Sequence, residues 1–100
     1  MEFQIDFEQG AKDEIAQLPV FVQRKIIGAI EKQLVHQPAT PSKNRKRVKT
    51  KAAEESDPPL WELRVGEYRV FYDVNPESNE VNVQAIRHKP LETRTKDILA

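Results

Sequence analysis

The sequence contains no cysteine, which excludes disulfides and thiolate metal sites and leaves no need for an oxidising compartment. Long apolar runs are also missing, and no stretch approaches the roughly 20 residues of a membrane-spanning helix. The opening residues Met1-Glu2-Phe3-Gln4-Ile5-Asp6 have neither a basic flank nor an apolar core. Neither export nor membrane insertion is therefore expected, and a cytoplasmic location is. Net charge is absent too, with 16 Lys+Arg against 16 Asp+Glu. What is present is enough for one modest core. With 38% hydrophobic residues in 100, the chain reads as a single domain over 1–100, too short for a two-domain cofactor enzyme. No cofactor and no metal are expected.

Neutrality conceals polarity. Lys43, Arg45, Lys46, Arg47, Lys49 and Lys51 follow one another without an acid, while Glu8, Asp13, Glu14 and Glu31 precede them and Glu54, Glu55 and Asp57 follow. Such a block is either a solvated loop or a polyanion contact, because clustered cations supply the salt-sensitive, phosphate-neutralising part of nucleic-acid affinity.

Hydrophobic periodicity divides the chain. Phe3-Gln4-Ile5-Asp6-Phe7 alternates with period two and predicts a strand. Ala11, Ile15 and Leu18 predict a helix stopped by Pro19, and Val22, Ile26, Ala29, Ile30 and Leu34 predict a second helix from Pro19 to about His36. The two should form an antiparallel hairpin, closed by Gln37-Pro38-Ala39-Thr40-Pro41. A basic linker reaches Asp57-Pro58-Pro59. Beyond it, Leu60 to Val65 and Tyr68 to Val74 alternate around Gly66-Glu67, predicting a β-hairpin with a II′-type turn, and Val81 to Ile86 supplies a third antiparallel strand. The fold class is α+β: an N-terminal strand, a two-helix hairpin and a three-stranded antiparallel meander in one curved sheet.

If Gly66-Glu67 is the turn, Val65 pairs with Tyr68, Arg64 with Arg69, Leu63 with Val70, Glu62 with Phe71 and Trp61 with Tyr72. One face then gathers Trp61, Leu63, Val65, Tyr68, Val70 and Tyr72. Carrying the register onward with Val74 opposite Val81 adds Val83 and Ala85, and the helices should pack there. Trp61 on that face reads as core rather than as a base-stacking platform.

The other face is expected to hold Glu62, Arg64, Arg69, Phe71, Gln84, Ile86 and His88. Two arginines directly opposed need a compensating anion. Glu62 is one candidate, and a nucleic-acid phosphate, which guanidinium binds bidentately, is the other. His88 is either incidental or a proton carrier, since imidazole titrates near pH 6.5, roughly neutrality.

The order of elements, and above all Leu60-Trp61-Glu62-Leu63-Arg64-Val65-Gly66-Glu67-Tyr68-Arg69-Val70-Phe71-Tyr72, resembles the RelE/ParE superfamily of toxins from bacterial type II toxin–antitoxin pairs. The resemblance covers essentially the whole chain. It implies a ribosome-dependent, metal-independent mRNA endoribonuclease, in which a 2′-hydroxyl attacks the neighbouring phosphate to leave a cyclic phosphate. A ParE-like DNA gyrase inhibitor is the alternative, and a non-catalytic nucleic-acid-binding member of the fold is a third. It also implies a cognate antitoxin, a toxin–antitoxin hetero-oligomer, and the ribosome and mRNA as partners.

Residue by residue, Arg69 matches the arginine that contacts the scissile phosphate, and Arg64 matches a second basic position. His88 in Ile86-Arg87-His88-Lys89 matches the YoeB-like proton carrier, with Lys89 a cationic helper, and Arg87 and Lys89 are expected to contact RNA. Glu62 is a possible carboxylate base, and the basic block from Lys43 to Lys51 is the expected RNA contact. Leu60-Trp61-Glu62 carries none of the lysines that RelE proper has in that strand, and 91–96 has no tyrosine.

Overall fold

The computed structural model describes residues 2–89 and Ile98, so the segment 91–96 lies outside the described residues. Strand β1 (Gln4–Phe7) leads into helices α1 (Gln9–Ala16) and α2 (Val20–Leu34). Then come β2 (Arg45–Arg47), a single-turn α3 (Lys51–Glu54), β3 (Trp61–Val65), β4 (Tyr68–Asn75) and β5 (Glu80–His88). The strands form one five-stranded open sheet in the order β1-β5-β4-β3-β2, with β1 parallel to β5 and the other pairs antiparallel. The expected α+β architecture is present.

Helices α1 and α2 each show one apolar stripe to the sheet. Pro19 sits at the N-cap of α2 and its carbonyl accepts from the amides of Val22 and Gln23, a use of proline at a helix start that costs no intrahelical bond. Val22, Ile26, Ile30 and Leu34 from α2 and Ala11 from α1 close over Trp61, Leu63, Val65, Val70, Tyr72, Val74, Val81, Val83 and Ile86. Gly66 adopts φ 60° while Glu67 keeps a negative φ, as a II′ turn requires. The register from Val65↔Tyr68 to Trp61↔Tyr72 is the expected one.

Three features depart from expectation. The basic segment is no mere linker: Arg45, Lys46 and Arg47 pair with Leu63, Glu62 and Trp61 as an outer strand. Thr50 then caps α3, its Oγ1 accepting from the amide of Ala53 at 3.2 Å. Arg45, expected to contact RNA, turns inward and is 9% exposed. Its Nη1 donates to the Gln33 carbonyl at 2.8 Å and to Oε1 of Gln33 at 2.9 Å, and its Nε donates to the Thr40 carbonyl at 3.0 Å. It is a staple between β2 and the end of α2. Arg45→Ala is therefore expected to cost about 2–3 kcal/mol of stability while leaving the salt dependence of polyanion binding unchanged. Chemical denaturation beside a salt titration measures the two effects separately.

The third departure lies in β5. Its register shifts between Phe71 and Tyr72, so that Tyr72 faces Val83 but Phe71 faces Ala85, leaving Gln84 as the extra residue of a β-bulge. Past the bulge every side chain changes face. Ile86 joins the helix-side core, and Ala85 packs with Phe71, Val48, Ala53, Leu60 and Ile98 on the far face. Both were expected on the opposite sides.

Candidate phosphate-binding face

The far face is built from alternate residues of β2, β3, β4 and β5. Arg64 and Arg69 are direct cross-strand partners, and Arg87 is opposite Arg69 on the other side, which lines up three guanidinium-bearing positions across adjacent strands about 5 Å apart. Lys46 enters from β2 opposite Glu62. Lys89, just beyond β5, is held by its own amide donating to the Glu67 carbonyl at 2.6 Å.

The carboxylate at the centre is occupied by lysine. Glu62 is 2% exposed, and Lys46 Nζ stands 3.2 Å from its Oε1. Arg69 instead donates from Nη1 to the carbonyls of Gly66 (3.0 Å) and Tyr68 (2.9 Å). These bonds fix one edge of the guanidinium and direct the rest toward the face. Partial burial lowers the Arg69 pKa below its ordinary value, with Glu62 opposing that effect and Arg64 adding to it. Burial likewise lowers Lys89, Glu62 opposes, and Arg69, Lys46 and Arg64 reinforce. Five charged groups thus share one field, four of them cations, and an added anion relieves it.

Arg87 is differently committed. It pairs with Glu14 of α1, whose other carboxylate oxygen accepts from the amide of Ile86 at 3.0 Å. β1 pairs with β5 only as far as Phe7↔Val83, so Glu14 covers the strand edge that β1 leaves open.

His88 is not on this face. The bulge places it opposite Tyr68, with ring centroids 5.2 Å apart and Nε2 3.3 Å from Oε2 of Glu67. The expected Arg69–His88 site is corrected accordingly: the two side chains project from opposite faces of the sheet. The signal was present in the apolar spacing, since Val81, Val83 and Ile86 step by two and then three, and Ala85 concealed it.

Of the remaining basic candidates, Lys43, Arg47, Lys49 and Lys51 are exposed, and Arg47, Val48, Lys49 and Glu54 line a surface recess of about 200 Å³. Among the described residues, no group of three His, Asp or Glu side chains forms a metal-ligand set, and no helix is long and apolar enough to cross a membrane.

A family model described as ParE toxin of type II toxin–antitoxin system, parDE, matches residues 5–89. No curated protein sequence matches. Among solved structures, the toxin–antitoxin complex RelBE2 of Mycobacterium tuberculosis contains a chain at TM-score 0.69 and 18% identity, covering 89% of this chain and 100% of that one. A chain of the archaeal RelE-RelB complex of Pyrococcus horikoshii follows at TM-score 0.65 and 17% identity, covering 90% and 98%. One from the RelB-RelE complex of Methanococcus jannaschii has TM-score 0.58 and 18% identity, covering 83% and 88%. At such identities the likeness is one of fold.

Proposed function

The chain belongs to the ParE toxin family of type II toxin–antitoxin systems, and we propose that it acts as a ribosome-dependent mRNA endoribonuclease. The observation that carries this reading is the cluster of Lys46, Arg64, Arg69 and Lys89 around the buried Glu62 carboxylate. Phosphoryl transfer from a 2′-hydroxyl needs the charge on the phosphate stabilised, the attacking oxygen deprotonated and the leaving 5′-oxygen protonated.

Arg64 and Arg69 take the non-bridging oxygens. Lys89, whose ammonium burial makes more acidic, gives its proton to the leaving oxygen. Glu62 receives the 2′-hydroxyl proton through Lys46, which passes one proton inward as it accepts another. The oxygen–phosphorus bond to the 2′ position forms as that to the 5′ position breaks. His88 has no part in these steps.

Lys89 gives the reading a pH signature. Because desolvation disfavours its charged form, Lys89 loses its proton below the ordinary lysine value of 10.5. Cleavage should therefore decline on an alkaline limb beneath that value, and Lys89→Arg should move the limb upward. A profile indifferent to Lys89→Arg removes Lys89 from the chemistry.

The exposed cations Lys43, Arg47, Lys49 and Lys51 are assigned to backbone phosphates of mRNA or ribosomal RNA. The cytoplasm is the compartment this activity requires. The solved neighbours are toxins in complex with antitoxins, and a cognate antitoxin with an acidic segment over this face is the proposed partner here.

The position of His88 away from Arg69 favours a second reading, a gyrase inhibitor that uses the same cationic face for binding only. Mapping new 5′ ends of messages in a translating extract, beside a supercoiling assay, separates the two. Cuts confined to ribosome-bound codons support the nuclease, whereas intact messages with blocked supercoiling support the inhibitor.

A further inference from the structure

Helix α2 carries an apolar surface that the core does not use. Val20 is 61% exposed, Phe21 75% and Ile27 39%, and with Arg24, Gly28 and Glu31 they lie along the face turned away from Val22, Ile26, Ile30 and Leu34. Lys25 is not part of this strip, because its Nζ reaches over the Gly66 turn.

We propose that this strip is a homodimer contact in which α2 packs antiparallel against α2 of a second copy of the chain, about a two-fold axis passing between Ile27 and Gly28. A two-fold contact must be self-complementary, and the order of residues meets that demand. Arg24 of each copy falls opposite Glu31 of the other, giving two identical ion pairs on the centre line. Ile27 of each copy falls on Gly28 of the other. A Cβ built at Gly28 meets nothing within 4 Å, so the helix surface is open there and the missing side chain leaves room for a knob from the second copy. Val20 of each copy reaches Val35 of the other, which is half-buried in its own chain. The contact involves one helix per copy and includes two exposed ion pairs, so the dimer forms as the concentration rises and weakens with salt.

Sedimentation equilibrium of the full chain tests this. The wild type should shift from one chain to two as its concentration rises. Arg24→Glu and Glu31→Arg should each hold it at one chain, since each sets like charges opposite one another, and the double swap should restore two. Gly28→Leu, which the isolated fold accommodates, should also give a monomer, with circular dichroism confirming an intact fold in every variant. A wild type monomeric at all concentrations overturns the proposal, as does a dimer insensitive to the swaps. A monomer whose residues 20–31 gain hydrogen-exchange protection only with antitoxin assigns the strip to that partner instead.

Discussion

Message cleavage by the Arg69→Ala protein is expected to fall about 10²–10³-fold, the usual loss when one preorganised charge-stabilising donor is removed. The fold should be retained. Arg69 is only partly buried, and its two hydrogen bonds reach carbonyls of its own hairpin. Losing them costs about 1 kcal/mol, and relieving the repulsion from Arg64 offsets part of that. Mapping 5′ ends at matched toxin concentrations measures the first effect and thermal unfolding the second. Wild-type cleavage by a folded Arg69→Ala protein would falsify the phosphate-clamp assignment. Retained toxicity with intact messages would move the face to the gyrase reading.

Tyr72→Ala is expected to have the largest effect on stability, a loss of about 3–5 kcal/mol. Tyr72 is fully buried, packs 6.4 Å from Trp61 between ring centroids, and donates its hydroxyl to the Pro38 carbonyl at 2.7 Å. That hydrogen bond ties the chain leaving α2 to the middle of the sheet. Against a typical total of about 5–15 kcal/mol, the alanine variant should be marginally folded, whereas Tyr72→Phe should lose only about 1 kcal/mol.

A pH dependence separates the two contributions. Burial pushes the Tyr72 phenol above its ordinary value of 10.0. Above that pH the unfolded chain ionises while the folded one resists, so the stability Tyr72 contributes is lost as pH rises. Denaturant titrations at neutral and alkaline pH should show this decline in the wild type and less of it in Tyr72→Phe.

The hairpin of β3 and β4 was legible because its apolar residues alternate without interruption and a glycine stands first in its turn. Both helices were legible from spacings of three and four, with Pro19 marking the boundary. β2 was not, because in a three-residue outer strand with Lys46 and Arg47 exposed the sheet bonds make the element and hydrophobicity leaves no trace. Arg45 misled for the same reason: charge predicts exposure, and only the carbonyls of Gln33 and Thr40 make its burial affordable. Arg64 and Arg69 could be paired from the turn alone. Lys89 could not be placed with them, since its face depends on a bulge that period-two reasoning has no means to count.

That bulge gives β5 something like a reading frame. Upstream of Gln84 the strand is in one phase and downstream in the other, and the sheet itself does not care which. Deleting Gln84 alone would close the bulge and leave Arg87 opposite Arg69 and His88 opposite Tyr68, whereas drawing Gln84 into the ladder opposite Phe71 would exchange the identities on the two sides, bringing His88 to the face of Arg69 and sending Arg87 and Lys89 away. The chemistry this scaffold offers to a phosphate is thus set by whether one residue of β5 is bulged out or paired, and a relative whose β5 has the same length but runs through this point without a bulge presents the other set of side chains even where its sequence matches on either side.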